Sequence, residues 1–394
     1  MGQRGGQGPR AQASVTAMRI VLLGATGYTG RLTAAAMVRA GLAPVLAGRH
    51  HDAVARLADR LAPLAPSPSA EPRIAVADVT DPASVRALIR SPQDVLVTTV
   101  GPFLELGLPA VEAAVDAGAA YLDSTGEPPF IRRVFDEFGP RAQDTGARLV
   151  TAFGYDYVPG NLAGALALRR CREAGRPATR LDIGYFIEGR FGVSSGTRAS
   201  ALGVLLAPSF AYRSGVVTPR RSSGGRVREF DLGRGRSWKG MPVAGSEHLA
   251  LPRLDPALSD VEVWLGWAGR WTPAAAYAGT ALGAVAALPG VGDRLLSGAS
   301  RRVARTTGSG PDAAARGGAR TIVQADASDA VGRLLASVRL EGPSPYDLTA
   351  DLLAWGAAMA ATHDMTAGAH GPVDAFGLDA LERGCADMGL VPVT

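Results

Sequence analysis

The sequence predicts an α/β protein in which a doubly wound parallel sheet precedes a second, α+β domain. Short apolar runs alternate with amphipathic helical patterns over the first 150 or so residues. These runs are apolar on both faces, which is typical of a parallel sheet covered by helices on both sides. Glycines separate the first strand from the first helix, and the pattern changes after about residue 160. Together these observations predict a Rossmann fold followed by a different domain.

The elements of the first part follow from apolar spacing and capping residues. Apolar runs predict six strands, at 20–23, 43–47, 73–77, 94–100, 119–123 and 147–152. Helical spacing predicts the helices between them, at 29–40, 50–64, 82–90, 108–117 and 128–145. Asp81 is expected to cap the third helix and Gly118 to end the fourth, because these residue types satisfy the exposed backbone groups of helix ends.

The second part is less regular. Alternating apolar and polar residues predict strands at 181–188, 261–267 and 334–340. The stretch 194–206 begins polar and turns apolar, whereas 216–236 is rich in loop-forming residues. Helical patterns return at 349–362 and 377–388.

These patterns divide the chain into four expected segments. They are a disordered N-terminal extension at 1–17, a dinucleotide-binding Rossmann domain at 18–159, an α+β substrate or dimerisation domain at 160–345, and C-terminal helices at 346–394. Packing of the last helices against the Rossmann domain is one arrangement that the pattern allows.

Composition bears on compartment and partners. The chain has 394 residues and a net charge of +5, but its cations are arginines apart from the single lysine, Lys239. Arginines crowd between 213 and 236 without interleaved aromatic residues, so a solvated surface is favoured over a nucleic-acid partner. The two cysteines, Cys171 and Cys385, cannot build a disulfide framework and fit a reducing cytoplasm.

Two segments bear on targeting. Residues 1–17 lack the apolar core of a signal peptide. Residues 273–291 carry no charge but consist mainly of alanine and glycine, which contribute little transfer free energy. A buried or surface helix is therefore favoured there over a membrane anchor.

The glycine-rich turn after the first strand is the most informative motif. Residues 24–30 read Gly-Ala-Thr-Gly-Tyr-Thr-Gly. Glycines at these places allow a sharp turn, close approach of the backbone to a pyrophosphate and close packing of helix on strand. We expect a dinucleotide to be bound by Gly24, Thr26, Gly27, Tyr28, Thr29 and Gly30. The alternative is a turn in which the glycines are purely structural.

The residues after the second strand indicate which dinucleotide is bound. An NAD-specific site usually carries Asp or Glu there, but this chain has Gly48-Arg49-His50. Arg49 can pair with a 2′-phosphate, so NADP(H) is the expected cofactor. Asp78, after the third strand, is placed to meet the adenine edge. The alternatives are that Arg49 solvates a loop and that Asp78 is a turn residue.

Ligands of such sheets bind beyond the carboxyl ends of the strands. Gly101, Pro102 and Phe103 follow the fourth strand and are expected near the ribose or nicotinamide. Ser124, after the fifth strand, is expected to be a further cofactor contact.

Three residues are candidates for the chemistry. Hydride transfer needs a positioned acceptor and often a proton source. Glu127, which follows the fifth strand, could face the nicotinamide. Tyr155 and Asp156 follow the sixth strand, where a tyrosine could donate a proton and the carboxylate could tune it or bind a substrate cation. The alternatives are a capping role for Glu127 and interface packing for Tyr155.

Other chemistries are disfavoured. The Tyr-x-x-x-Lys pair of short-chain dehydrogenases cannot exist, because Gly235 stands four residues before Lys239. No metal site is expected, since His363, Asp364 and His370 match no common zinc spacing.

Several motifs in this order resemble the saccharopine dehydrogenase-like oxidoreductases, and more closely a bacterial branch that includes the trans-acting enoyl reductases. They are the turn at 24–30, Ala47-Gly-Arg49, Gly101-Pro-Phe103, Tyr121-Leu-Asp-Ser-Thr-Gly-Glu127, Gly154-Tyr-Asp156 with Pro159, and the segment 341–349. The resemblance covers about residues 18–360 and implies a Rossmann domain, NADP(H) and reduction of a C=N or C=C bond. The chain departs from the pattern after Pro159, where Gly160-Asn161 replaces Ser-Asp and hints at a specialised substrate.

We therefore expect an NADPH-dependent oxidoreductase that transfers a hydride to a C=N or C=C bond of a small metabolite or thioester. Bacterial secondary or lipid metabolism is the expected setting, with the site between the two domains. Two alternatives stay open, a non-catalytic NADP(H)-binding regulator and a membrane-associated lipid-modifying reductase. A small-molecule substrate is the expected partner, and a homodimer is one alternative for the oligomeric state.

Overall fold

Six short strands form the parallel sheet that the sequence predicts. The computed structural model describes residues 18–393 except 190, 191, 193, 195–208, 221–223, 234, 268 and 287–309. Strands β1 to β6 lie at Ile20–Leu23, Val45–Gly48, Arg73–Val76, Val95–Thr98, Ala120–Asp123 and Arg148–Val150. They pair in parallel in the order β3-β2-β1-β4-β5-β6, so the strand order reverses between β1 and β4. The predicted fold class is confirmed.

The helices that connect these strands lie where they are predicted, except that the third ends four residues early, at Arg86, and the short helix after β4 was not predicted. Helices α1 to α7 lie at Tyr28–Arg39, His51–Leu61, Pro82–Arg86, Phe103–Leu106, Leu108–Ala117, Pro128–Arg133 and Gly139–Thr145. The expected helix at 128–145 is confirmed in extent, but it is not α-helical throughout, because a π-helical stretch, Val134–Phe138, joins α6 to α7. Pro140 accounts for the π-helical stretch, since it has no N–H to donate to the carbonyl four residues earlier.

The second part of the chain forms a mixed β-sheet. Helix α8 (Val158–Glu173) leads into it, and α9 to α11 follow at Glu247–Leu254, Thr272–Ala286 and Ala313–Gly317. Strands β7 to β14 lie at Arg180–Glu188, Ser209–Arg213, Val216–Arg220, Arg228–Asp231, Ser237–Val243, Asp260–Leu265, Arg320–Ser328 and Leu334–Gly342.

The C-terminal segment contributes to both sheets. It contains α12 (Pro345–Thr362), β15 (Gly368–Ala369), α13 (Pro372–Phe376), α14 (Leu378–Asp387) and β16 (Val391–Val393). Strand β15 extends the parallel sheet beside β6, and β16 pairs antiparallel with β14. The second sheet therefore has the order β10-β11-β12-β7-β13-β14-β16, with the β8–β9 hairpin attached to β12. Helix α12 packs against α1, β4 and β5.

Several helices and strands of the second part were not predicted from the sequence. The stretch 216–236 is not all loop, because it contains β9 and β10, where Pro219 and nearby glycines mask the period of a strand. Helix α8 lacks a polar stripe because it is buried on nearly every side, and β13 lacks alternation because it is buried on both faces. The predictions for 1–17, for nearly all of 194–206 and for 287–291 lie outside the described residues. Within the described ranges, no helix combines the length and the hydropathy needed to cross a bilayer.

Three carboxylates lie side by side on one face of the second sheet. Asp182 on β7 is the cross-strand neighbour of Glu262 on β12 and of Asp326 on β13. Asp182 accepts hydrogen bonds from Arg180 at 2.7 and 2.9 Å and from Arg228 at 2.7 Å. These pairs compensate for burying the Asp182 carboxylate, which has almost no contact with solvent.

The arginines that crowd between 213 and 236 in the sequence supply most of the remaining partners. Glu262 forms ion pairs with three of them, Arg213, Arg220 and Arg226. Arg228 bridges from Asp182 to Asp326 at 3.1 Å. The arginine-rich segment therefore covers a row of acidic side chains on the sheet.

We predict that Asp182→Asn lowers the free energy of unfolding by about 2–3 kcal/mol, because Arg180 and Arg228 lose a buried counter-ion while keeping some access to water. Asp136→Asn is the control, because Asp136 forms an exposed pair with Arg132 on one helix face, worth under ~1 kcal/mol. Urea denaturation followed by circular dichroism measures both. Equal losses in the two variants would contradict the assigned role of the acidic row.

Candidate active site

The turn after β1 depends on two of its glycines. Gly24 has a φ of +85°, in the left-handed region, and its N–H donates to the Ala47 carbonyl at 3.0 Å. A Cβ on Gly30 would lie 2.1 Å from the Gly24 carbonyl oxygen, so a side chain there would force α1 off the strand. A Cβ on Gly27 would meet only the Gly24 oxygen, at 3.2 Å. The backbone at Gly27 is therefore open to a ligand.

The start of α1 is suited to an anion. Gly27 provides no side-chain cap, and the first turn contains no acidic residue. The first N–H groups of a helix have no partner within it, and they lie at the positive end of its dipole. The turn therefore fits the pyrophosphate of a dinucleotide, which the N–H groups of Tyr28, Thr29 and Gly30 could hold.

The side chain of Tyr28 is engaged elsewhere. Its hydroxyl donates to the Pro311 carbonyl at 2.5 Å and accepts from Arg316 at 3.3 Å. Its ring packs edge-on against Tyr346, with ring centroids 4.9 Å apart. Only the backbone of Tyr28 is thus turned to the glycine motif, while its ring ties α1 to the first turn of α12.

Arg49 and Asp78 lie at the carboxyl ends of β2 and β3, as expected from the sequence. The Arg49 side chain is exposed. The Asp78 carboxylate accepts from the N–H and hydroxyl of Thr80, at 2.9 and 2.8 Å, and these bonds hold the pKa of Asp78 below its usual range. The nearby positive charge of Arg49 acts in the same direction. Asp78 thus supports a turn beside the cation expected to meet the 2′-phosphate.

Glu127 supports the loop after β4 and does not line the cleft described below. Its two carboxylate oxygens accept the N–H groups of Phe103 and Leu104, at 2.9 and 3.0 Å. These are the first residues of α4, so the buried carboxylate fixes the Gly101–Phe103 segment next to the sheet. The geometry is that of a capping group, on a helix other than the one that follows Glu127.

A second buried carboxylate fixes the backbone after β6. Asp123 accepts from the N–H of Ala152 at 2.9 Å and from the hydroxyl of Thr151 at 2.7 Å. It also accepts from the N–H of Thr125 at 2.9 Å. Ala152 has a φ of +58°, which a non-glycine residue adopts only when its surroundings hold it there. Asp123 thereby sets the position of residues 153–157.

A cleft opens where the parallel sheet, the second sheet and α12 meet. It is lined by residues from five parts of the chain: Thr29, Ser124, Tyr155, Asp156, Trp267, Pro345, Tyr346 and Thr349. Four of these residues, Thr29, Ser124, Tyr155 and Asp156, are candidates from the sequence. No arginine, lysine or histidine is among the described residues that line the cleft.

Asp156 is the titratable carboxyl of this cleft. One of its oxygens lies 3.0 Å from where a Cβ on Gly126 would be, so the glycine makes room for it. It forms no hydrogen bond or ion pair within the described part of the chain. Burial without a cation raises the pKa of Asp156 to about 7. Near neutral pH the group can therefore carry a proton and release it.

Tyr155 links the two sheets at the cleft. Its N–H donates to the Thr349 hydroxyl at 3.0 Å, and its own hydroxyl accepts from the Trp267 indole at 3.2 Å. Burial holds the pKa of Tyr155 well above its usual value. The tyrosine is thus both an interface residue and a neutral hydroxyl at the wall of the cleft.

Asn161, which stands where the resembled family has an aspartate, lies behind the cleft and does not line it. The Asn161 amide donates to the Tyr157 carbonyl and to the Ser246 hydroxyl, each at 2.9 Å. The side chain is buried among these partners. The amide therefore supports the turn at 155–157.

The sequence did not single out the other side of the cleft. Trp267 ends a predicted strand, and Tyr346 and Thr349 start α12, some 190 residues beyond Tyr155 in the chain. The only signal for them was the segment 341–349, which carries part of the resemblance. A Cβ on Gly154 would lie 2.9 Å from Thr349, which shows how closely the two segments meet.

Comparison with known proteins agrees with this architecture. The family model of the saccharopine dehydrogenase NADP binding domain matches residues 20–150. A Mycobacterium tuberculosis protein, provisionally named a trans-acting enoyl reductase, is 34% identical over 404 residues, covering 92% of this chain and 94% of the relative. The chain belongs to the saccharopine dehydrogenase-like oxidoreductases. A trans-acting enoyl reductase of Mycobacterium ulcerans is 32% identical over 336 residues, covering 75% of this chain and 78% of the relative.

Membership of this family confirms the predicted cofactor and class of enzyme. The chain is an NAD(P)H-dependent reductase, and the matched domain makes NADP(H) its cofactor. Saccharopine dehydrogenase (L-Glu forming) of Saccharomyces cerevisiae has the same fold, with a TM-score of 0.60 and 13% identity over 96% of this chain and 100% of that one.

We predict that Arg49→Asp weakens NADPH binding about 10- to 100-fold, because a charge-assisted pair with the 2′-phosphate, worth roughly 1–3 kcal/mol, is lost. NADH affinity should change far less. Arg56→Asp, an equal charge change on the exposed side of α2, serves as the control. Fluorescence titration gives both constants, and indistinguishable NADPH affinities in the two variants would rule out this contact.

A second prediction concerns stability at acid pH. His248 is fully buried, its Nε2 has no hydrogen-bond partner in the part of the chain that the structure describes, and burial lowers its pKa to about 4. The folded protein therefore binds fewer protons than the unfolded chain between pH 6.5 and 4. The neutral imidazole therefore contributes up to about 3 kcal/mol to the free energy of unfolding, and we expect this contribution to be lost as the pH falls through this window. Thermal unfolding of His248→Gln should be less acid-sensitive there than wild type, and parallel curves would contradict this.

Proposed function

We propose that this reductase acts on the C=C bond of an enoyl thioester, with Asp156 as the proton donor. The observation that carries the proposal is the carboxyl of Asp156, which faces the cleft beside Thr29 and has a pKa of about 7. An acid with a pKa near the working pH is the most effective proton donor. The mycobacterial relatives described above are named trans-acting enoyl reductases, which supports the choice of a C=C bond.

The walls of the cleft support an uncharged substrate. Tyr155, Trp267 and Tyr346 offer aromatic surfaces, and the described lining residues include no cation. A substrate with an α-carboxylate would lack a positive partner there, and an unpaired buried charge is costly. A conjugated thioester presents a flat, neutral group to such a surface. We infer that imine substrates with charged amino-acid groups are disfavoured.

In the proposed reaction the cofactor provides the hydride and Asp156 provides the proton. NADPH, when held at the glycine turn, supplies the hydride. Hydride addition to the β-carbon of an enoyl thioester leaves an enolate, and the Asp156 carboxyl gives its proton to the α-carbon. Asp156 then regains a proton from solvent, because its side chain is partly exposed in the cleft. Glu127 and Asp123 act as positioning residues for the loops on either side.

We assign the segments accordingly. Residues 18–159 would bind the cofactor, with Gly24, Thr26, Gly27, Thr29, Gly30, Ser124 and Gly101–Phe103 as its surroundings. Residues 160–345 would supply the Trp267 wall, and residues 346–394 would close the site through Tyr346 and Thr349. The names of the mycobacterial relatives are consistent with a role in bacterial lipid or secondary metabolism.

We predict that Asp156→Asn lowers kcat for trans-2-enoyl-CoA thioesters by about 10²- to 10⁴-fold, the usual contribution of a general acid. NADPH affinity should stay unchanged, which also reports that the variant is folded. Because the protonated carboxyl is the active form, wild-type kcat should fall as pH rises past about 7. NADPH oxidation at 340 nm, with enoyl thioesters and cyclic imines in parallel, measures these effects.

The control is Asp144→Asn, because Asp144 is an exposed carboxylate on α7 away from the cleft. It should keep wild-type kcat and the wild-type pH profile. Full activity of Asp156→Asn would sink the assignment of the proton donor. Turnover of the imines, but of no enoyl thioester, would overturn the proposed substrate.

A further inference from the structure

A buried carboxyl group lies behind the cleft, outside the residues that line it. Glu247, the first residue of α9, is fully buried. Its Oε1 accepts the hydroxyl of Tyr185 at 2.6 Å, and its Oε2 has no hydrogen-bond partner among the described residues. A buried carboxyl that lacks a partner for one oxygen is costly, so its presence here needs a reason.

Two glycines reserve the space for this carboxyl. A Cβ on Gly160 would lie 2.3 Å from Oε1 of Glu247, and a Cβ on Gly245 would lie 2.4 Å from Oε2. The Gly160 N–H also donates to the Tyr185 hydroxyl at 2.8 Å. Any larger residue at either place would displace the carboxyl. The chain thus builds a close-fitting cradle around the Glu247–Tyr185 pair.

Tyr185 connects this cradle to the cleft. Its ring packs edge-on against Tyr155, with centroids 5.5 Å apart, and against Tyr157, at 5.9 Å. These are the two residues that flank Asp156. The Tyr185 hydroxyl also lies 3.2 Å from the Tyr157 carbonyl. A shift of Tyr185 would therefore move the turn that carries the Asp156 carboxyl.

The surroundings of Glu247 keep it uncharged near neutral pH. Burial raises its pKa to about 8, and the charge of Asp156 acts in the same direction. The titratable groups that face it are Tyr157 and Tyr185, whose pKa values are also raised by burial, together with Asp156. The imidazole of the adjacent His248 turns to Gly245 and Phe210. Among the residues that the structure describes, no cation balances the carboxyl.

We infer that Glu247 is a positioning residue for the reduction: its protonated carboxyl holds Tyr185, and through Tyr185 the 155–157 turn, so that Asp156 faces the substrate. This inference rests on the proposed role of Asp156. Ionised Glu247 would place an unbalanced negative charge behind the turn and disturb the packing of Tyr185 on Tyr155 and Tyr157.

The test compares wild type with Glu247→Gln, Glu247→Ala and Tyr185→Phe. At pH 6, Glu247→Ala and Tyr185→Phe should lower kcat about 10-fold or more, with NADPH affinity unchanged. The conservative variant Glu247→Gln should keep most of the wild-type kcat at this pH. Above pH 8, log kcat of wild type should fall with a slope near −2, because Asp156 and Glu247 both ionise, whereas Glu247→Gln should keep a slope near −1.

A readout without turnover separates this inference from the proposed function. The folded-state pKa of Glu247 is raised, so its contribution to stability is lost as pH rises from about 4.5 through about 8. The melting temperature of wild type should therefore fall more between pH 6 and 9 than that of Glu247→Gln. Identical pH slopes of kcat or of melting temperature in these two proteins would overturn the inference. A Glu247→Ala variant with the kcat of wild type would also overturn the inference, even if Asp156→Asn is impaired. Full activity of Asp156→Asn would instead overturn the proposed function itself.

Discussion

The cleft depends on one buried carboxylate that joins the ends of two strands. Asp123, at the end of β5, accepts backbone N–H groups from its own loop and from the turn after β6, and so holds Ala152 in a left-handed conformation. Residues 153–157 leave the sheet from that point. Tyr155 then meets Thr349 of α12 and Trp267 of the second sheet. The contacts between the two sheets at the cleft therefore start from the hydrogen bonds of a single side chain.

Buried carboxyl groups in this protein have three kinds of surroundings, and the surroundings decide what each can do. Asp123 and Glu127 are met by N–H donors, which makes them fixed parts of the backbone. Asp182 is met by arginines and stabilises a sheet. Asp156 and Glu247 have neither kind of partner among the described residues, so they hold protons near neutral pH. Strand β7 carries Asp182 on one face and Tyr185, the partner of Glu247, on the other. A single strand thus separates a charged layer from an uncharged one.

Much of the cofactor side could be predicted from sequence, because the carboxyl ends of parallel strands necessarily meet at one edge. That rule is sufficient to place Thr29, Ser124, Tyr155 and Asp156 near one another from the sequence alone. It could not place Tyr346 or Thr349, since their position depends on long-range packing of α12 against α1. Nor could it place Trp267, which follows β12 of the second sheet. Nor could it orient Glu127, whose carboxylate turns to whichever N–H groups need an acceptor. Glu247 carries no local signal, because the space for its carboxyl and its hydrogen-bond partner are supplied by Gly160 on α8 and Tyr185 on β7, far away in the chain.

The return of the chain through β15 and β16 has a consequence for biogenesis. The seventh strand of the parallel sheet and the outer strand of the mixed sheet both follow residue 367, so each is made after the strand that it pairs with. Within the described residues, β6 and β14 therefore each have a free edge until β15 and β16 are made, and exposed edges invite pairing with other chains. A nascent molecule thus passes through a stage in which both sheets lack an outer strand and are open to misassembly at once.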